Sequence, residues 1–373
     1  MKILNILTSR LNYNGIGMSL LNYYRNIDSS LFQMDYLVPN IVDNDLKEKF
    51  TVNGNKLFEL DYHGQKMHQK RPFLYCCKLY KILKEEKYDI VHVHGSSSLL
   101  FLQLLVAKLA GVKVRIAHSR NTDTDHKFIH FVFKPLFSLL YTDAFSCGRE
   151  AGVWLFGKNK DFTIISNGKD SKMFAFNQLD REFYRKKYNI KDKIVLGHIG
   201  NFNYQKNHEF LIDVFSKLHK ENKSCFLILA GSGPLEDEIK ERVSELKLGE
   251  SVLFLGQVSV EEIAKILNAM DIMVFPSRFE GFPNVLIEWQ MNGLPCVISD
   301  KITKDVKITN SVYFESIDSV DDWVQRINSI KLSDREKIKK ETIQLVKQAG
   351  YDIEENAKML EKKYIELYNN CRK

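Results

Sequence analysis

Short apolar runs of strand length alternate with longer helical patterns along almost all of this chain. That alternation restricts the fold to α/β, built from repeated strand, helix, strand units with parallel sheets. The runs predict strands at 2–7, 34–38, 90–94, 112–117, 144–146 and 162–165 in the first half, and at 194–199, 225–230, 252–255, 272–275 and 296–299 in the second. Two Rossmann-like sheets result. The polar, charge-rich stretch 170–193 separates them, giving an N-terminal domain at 1–178 and a C-terminal domain at 190–351. Beyond it, Ala357, Leu360, Tyr364 and Leu367 form a stripe near helical spacing, so 352–373 reads as a helix that can return to the first domain.

A length of 373 residues, 44% hydrophobic and 27% charged, supports two cores without staples. The six cysteines (Cys76, Cys77, Cys147, Cys225, Cys296 and Cys371) contain no C-x-x-C, which fits a reducing compartment and no zinc site. The N-terminal apolar run is too short for a signal peptide. The longest apolar stretches, 99–109 and 128–141, are interrupted and fall short of the ~20 residues of a membrane span. Net charge is +7, with Lys and Arg concentrated at 66–87 and 181–187. A basic, aromatic-bearing helix can lie on an anionic membrane, although such runs are most often solvated faces. No motif accompanies the charge, so nucleic acid is not an expected partner.

Residues 277–297, SRFEGFPNVLIEWQMNGLPCV, set Glu280 and Glu288 among Phe, Val, Leu, Ile, Trp and Met. Unpaired carboxylates are costly to bury there. Pro276 ends a strand, Glu280 to Pro283 make a turn, and a helix capped by Asn284 should follow, which places Glu280 just outside a strand's carboxyl end. Ligands of open α/β sheets bind at that edge. The helix N-terminus suits a diphosphate, Gly281 permits close approach, and Glu288, about one turn on, can accept two hydrogen bonds from a ribose diol. On spacing alone, both glutamates could instead be ion-pair partners of distant Lys or Arg. Two further glycine loops follow strands: Gly200 to His208, with Lys206 able to meet a phosphate, and Gly231 to Pro234, with Pro234 suited to a first helical position.

Together these residues resemble the C-terminal half of a retaining GT-B glycosyltransferase of family 4 (glycosyltransferase group 1), close to its capsular and exopolysaccharide branch. The matching segments are GNFNYQKNHEFLIDVF at 200–215, LILAGSGPLEDEI at 227–239, FLGQV at 254–258, and 269–300, which holds the E-x7-E pair Glu280 and Glu288. In the first half NGIG at 14–17, YDIVHVHG at 88–95, RIAHSRNT at 115–122, TDAFSCGREAGVWLFG at 142–157 and IISNGKD at 164–170 continue it. The resemblance implies two Rossmann-like domains facing across a cleft that closes on the substrates. It implies that Gly15 to Gly17 pack a loop against the donor diphosphate and that His118 faces the sugar. By the same resemblance Glu288 binds the ribose, Lys206 the diphosphate and Glu280 the transferred sugar. The backbone of Gly281, Phe282, Pro283, Asn284 and Val285 also holds the donor, through the N–H groups of all but the proline. Asn201 stands where the family carries Arg in the second loop, removing half of a cationic clamp, and Arg120 stands where this branch often has a second His.

The activity so implied is transfer from a nucleotide sugar, UDP-linked by resemblance, to a saccharide or polyprenyl-diphosphate-linked saccharide in surface polysaccharide synthesis. No cofactor or metal is implied. The expected location is the cytoplasm, with peripheral contact at the inner face of its membrane through the basic N-terminal helices. A UDP-sugar epimerase on the same scaffold and a catalytically silent partner subunit are the alternatives. A nicotinamide enzyme is disfavoured, since Gly15 and Gly17 are followed by Leu20 where G-x-G-x-x-G needs glycine. Without the resemblance, a lone His118 after a strand reads as a satisfied core residue. His92, His94, His118 and His126 could be imagined as metal ligands, but the alternation of side chains along a strand and the lack of a carboxylate pattern argue against a site.

Overall fold

The computed structural model describes every residue except 13–14, 125–126 and 372–373. Two compact units form: Met1–Gly168 with Ile353–Lys373, and Lys169–Asp352. The first unit holds β1 (Lys2–Leu7), β2 (Gln33–Val38), β3 (Leu57–Glu59), a small hairpin of β4 (Asp61–Tyr62) and β5 (Gln65–Lys66), then β6 (Ile90–Gly95), β7 (Val114–Ser119), β8 (Asp143–Ser146) and β9 (Thr163–Ile164). The second holds β10 (Ile194–Ile199), β11 (Cys225–Ala230), β12 (Val252–Phe254), β13 (Ile272–Phe275), β14 (Cys296–Ser299) and β15 (Val312–Glu315).

Both large sheets are parallel and share one topology. The first runs β3-β2-β1-β6-β7-β8-β9 and the second β12-β11-β10-β13-β14-β15. Each therefore reverses strand order beside its first strand, between β1 and β6 and between β10 and β13. Crevices for ligands open at such switch points. The strands are nearly continuous runs of Val, Ile, Leu and Phe because helices cover both faces of a parallel sheet.

One face of the first sheet, carrying Ile3, Tyr36, Ile90 and Ile116, packs beneath the helices Gly15–Asn26 and Ile353–Asn370. The C-terminal helix contributes Ile353, Ala357, Leu360 and Tyr364, all buried, and burial of Leu360 and Tyr364 is worth about 2 kcal/mol each. Its membership of the first unit is therefore set by its apolar stripe. The segment 169–178, placed with the first domain by composition, belongs to the second unit, where Asn292 Nδ2 donates to the Phe174 carbonyl at 3.0 Å. Lys169 pairs with Asp352 through a parallel β-bridge, and Ser171 Oγ donates to Asp352 Oδ2 at 2.6 Å, so the first and last residues of the second unit are tied together.

Candidate active site

In the second unit, the chain leaving β10 turns through Gly200 to Asn207. Asn203 Oδ1 accepts from the Lys206 amide at 3.1 Å, closing a 3-10 turn at Tyr204–Lys206. Asn207, at φ 57°, ends that turn in the left-handed region and opens the helix His208–Glu221. Its Nδ2 donates to the Pro276 carbonyl at 3.2 Å, joining this loop to the one after β13. Three more contacts complete the clamp. The Arg278 amide donates to the Gln205 carbonyl at 2.8 Å, Gln205 Nε2 donates to the Phe279 carbonyl at 3.0 Å, and the Arg278 guanidinium lies 4.1 Å from the centre of the Tyr204 ring.

The consequence is that Lys206 and Glu280 meet across the switch point. Lys206 Nζ donates to Glu280 Oε1 at 2.6 Å and lies 4.5 Å from the centre of the Phe275 ring. Glu288, on the inner side of the helix Val285–Met291, accepts from Lys169 Nζ at 2.5 Å. All four side chains are largely buried. Each glutamate thus holds a lysine, as the simpler reading of the spacing had it. That pairing does not remove the ligand chemistry, because an ammonium has three donors and a carboxylate accepts at both oxygens.

Asn201 is exposed, and Gly281 is exposed with open space where a Cβ would stand. Phe282 stacks on Tyr351, and Pro283 is buried ahead of the helix that starts at Val285. Asn284 occupies the N-cap position without capping: at φ −56° and ψ −26° it is already helical, so its side chain does not fold back, and Oδ1 is buried with no partner. The third loop also differs from expectation. Gly231, at φ 140°, and Gly233 admit backbone: a Cβ there would stand 2.1 Å from the Gly200 carbonyl oxygen and 2.4 Å from that of Phe202. Their glycines serve packing of the second loop, and the helix starts at Glu236, past Pro234.

Beneath the Lys206 loop lie two histidines that local sequence did not single out. His198 Nδ1 lies 2.8 Å from the Val274 carbonyl, its Nε2 has no partner, and neither nitrogen of His208 has one. Burial, then the nearby Lys206 charge, pushes His208 down to about 4.

In the first unit Gly15 is exposed at the start of its helix, whereas Gly17 is buried, and a Cβ on it would stand 2.1 Å from the Asn12 carbonyl oxygen. Asn14 and His126 lie outside the described residues. His118, expected by resemblance to face a sugar, is fully buried on β7, and its Nε2 has no partner. Strand alternation turns Ile116 and His118 to the face covered by the C-terminal helix. His118 Nδ1 lies 3.0 Å from His92 Nε2, and His92 Nδ1 lies 2.7 Å from the Tyr364 hydroxyl.

His92 and His94, two apart on β6, share that same face, and the register sets His94 beside His118. The argument from alternation against their meeting is therefore corrected: the three rings offer nitrogens within 4.8 Å of one another. The cluster is built as a hydrogen-bonded network. Arg120 Nε donates to His94 Nδ1 at 3.2 Å and its Nη1 to Asn167 Oδ1 at 3.2 Å, while His94 Nε2 reaches Asn5 Oδ1 at 3.1 Å. Burial and the Arg120 charge hold all three histidines well below their usual range. A second cation would meet the guanidinium at once. Arg120, noticed in the sequence only as a departure from family pattern, is the residue that leads from this network to the sheet edge. Lys169 lay in a quoted motif without a role, and nothing local tied it to a glutamate 119 residues away.

Residues 180–345 match the family described as Glycosyl transferases group 1, and residues 40–145 match Glycosyl transferase 4-like. The chain is 32% identical to "Putative glycosyltransferase EpsF" of Bacillus subtilis (strain 168), over 99% of this chain and 96% of that protein. It is 30% identical to an Escherichia coli UDP-Gal:alpha-D-GlcNAc-diphosphoundecaprenol alpha-1,3-galactosyltransferase, over 60% of each. Among solved structures it is similar to Anabaena Alr3699/HepE in complex with UDP, with a TM-score of 0.75, 16% identity, and coverage of 98% of this chain and all of that one.

Proposed function

We propose that this chain, which belongs to the glycosyl transferase group 1 family, moves a sugar from a UDP-sugar to a saccharide or lipid-linked saccharide, with retention and without a metal ion. The observation that carries the reading is the Lys206–Glu280 pair at the switch point of the second sheet. UDP as the nucleotide draws on the relatives: the Escherichia coli enzyme uses UDP-Gal, and HepE binds UDP. A lipid-linked acceptor in surface polysaccharide synthesis draws on the Escherichia coli relative, whose name gives a diphosphoundecaprenol-linked GlcNAc as the acceptor.

In this reaction the bond from the anomeric carbon to the diphosphate oxygen breaks and its electron pair leaves with the phosphate. Lys206, one donor on Glu280 and two directed elsewhere, stabilises that charge, helped by the backbone N–H groups of Gly281, Phe282 and Asn284. Glu280 binds the sugar hydroxyls. The acceptor hydroxyl bonds to the anomeric carbon on the face that the diphosphate leaves, and its proton passes to the leaving phosphate, so no protein nucleophile is needed. Glu288 accepts the ribose diol, and Lys169 holds that carboxylate in place. The two glutamates thus have separate binding roles, unlike the paired carboxylates of a glycosidase. The protein works in the cytoplasm, at the inner face of the membrane when its acceptor is lipid-linked.

The test is UDP release from a panel of UDP-sugars with EDTA present, beside Glu280→Ala. Slow release from one sugar that vanishes in the variant supports the reading and names the donor. No release from any sugar, together with no heat on titration with UDP, overturns it.

A further inference from the structure

The apolar stretch flagged in the sequence at 128–141 is a helix at Lys127–Ser138 whose outer face is bare. Its inner face is fully engaged: the Ser98 amide donates to His130 Nδ1 at 3.0 Å, Phe133 stacks on Phe101, and Phe137 is buried. Rotation cannot hide the rest. Phe128 is 80% exposed, Phe131 61%, Val132 55% and, just past the helix, Leu139 73%. Soluble proteins seldom leave so many large apolar groups together in water. At the start of the helix Pro72–Glu86, Phe73 is 82% exposed and Leu74 is exposed beside it.

A cavity of about 940 Å³ joins the two. Ile129 and Phe133 from the first helix and Pro72 from the second line it, with Lys66, Lys70 and Arg120 as its cations. The surroundings are positive. Residues 66–84 contain six Lys or Arg and no acid, and 127–141 contain two lysines and no acid. Asp123 lines the cavity too, and is paired with Lys127 at 3.3 Å.

We propose that the outer face of Lys127–Ser138, with Phe73 and Leu74, inserts into an anionic lipid bilayer, and that the adjoining cavity takes the anionic head of an amphiphilic acceptor directly from it. Charge complementarity selects the occupant: the apolar side chains are framed by cations that outnumber the acids beside them, Asp123 being paired with Lys127 and Glu85 with Lys81, and such a frame fits a negatively charged lipid surface. The continuity of Ile129 and Phe133 from patch to cavity lets an amphiphile enter without its tail crossing water. This inference rests on the transferase reading for the acceptor, and on the surface alone for the membrane.

The test sediments the full chain with vesicles of phosphatidylcholine and phosphatidylglycerol in equal amounts, and with phosphatidylcholine alone, while UDP binding is titrated on the same samples. The chain should bind the anionic vesicles, and Phe128→Ser/Phe131→Ser/Val132→Ser should weaken that binding by about tenfold or more, the loss expected when side chains of this size leave an apolar phase. UDP binding should be unchanged, which also reports that the variant is folded. Lys78→Glu/Lys81→Glu, on the Leu74 side of its helix, should weaken binding to anionic vesicles only. Absence of vesicle binding, or binding that survives the triple substitution, overturns the proposal. So does a dimer or bound protein partner that the triple substitution releases while vesicles go unbound. Vesicle binding without UDP binding would leave the surface standing and remove the transferase reading.

Discussion

The two sheet edges share a topology and differ in what they hold. At the switch point of the second sheet, two carboxylates and two lysines are kept at short range by loops locked to each other, Arg278 against Tyr204 and Asn207 against Pro276. At the corresponding edge of the first, three histidines are buried beneath the C-terminal helix, with one guanidinium leading outward. Ionised groups survive burial in the second because each has a partner. In the first, the histidines survive by losing their charge. The same backbone therefore supports one edge held by paired charges and another built on uncharged rings around a single guanidinium.

The sharpest way to break that comparison is Glu280→Ala, expected to lower kcat about a thousandfold at little cost in UDP affinity. A loss under tenfold, in steady-state rates, would mean that the pair is structural. Lys206→Met should cost about a hundredfold in kcat/KM. Because the two act as a unit, Lys206→Met/Glu280→Ala should be little worse than Glu280→Ala, and multiplying losses would show that they act apart. Lys169→Met should raise the donor KM about tenfold with kcat unchanged, and Lys169→Arg should recover most of it; a fall in kcat instead would remove Lys169 from a purely positioning role.

The buried histidines of both units make a pH prediction. The folded values of His92, His94 and His118 lie well below the ordinary 6.5, and that of His208 is about 4. Below 6.5 the unfolded chain binds protons that the folded chain refuses. Stability is therefore complete above about 6.5 and lost as pH falls toward the folded values, at about 1.4 kcal/mol per pH unit for each histidine still neutral in the fold. Calorimetric Tm should be level from pH 8 to about 6.5 and decline already by about pH 5.5, above the range where carboxylates protonate. A level profile to about pH 5 would show that the rings are charged in the fold. The smallest effect is expected from Asn201→Arg, which restores the second cation to the exposed start of the Lys206 loop and should tighten UDP binding a few-fold by calorimetry.

Much of this was legible beforehand. The strands at 2–7, 194–199, 225–230, 272–275 and 296–299 coincide with β1, β10, β11, β13 and β14, and both glutamates and Lys206 could be named from spacing and resemblance. The short elements were not. Three-residue β3 and the hairpin of β4 and β5 carry too little periodicity, β15 at the far edge of its sheet was missed, and β7 runs two residues later than its apolar run suggested.

What the sequence determined by itself is what repeats locally: strand and helix order, the parallel sheets that follow from it, and the loops in which Lys206, Glu280 and Glu288 must lie. Tertiary structure alone decided the partners. It brought Lys169 to Glu288, Tyr364 to His92 and Arg120 to His94, and it buried His118 while leaving Phe128 and Phe131 bare. The reason is physical: apolar periodicity is fixed by the 3.6 and 2 residue repeats of the backbone, whereas pairing and exposure depend on which distant surfaces the packed helices and sheets bring together.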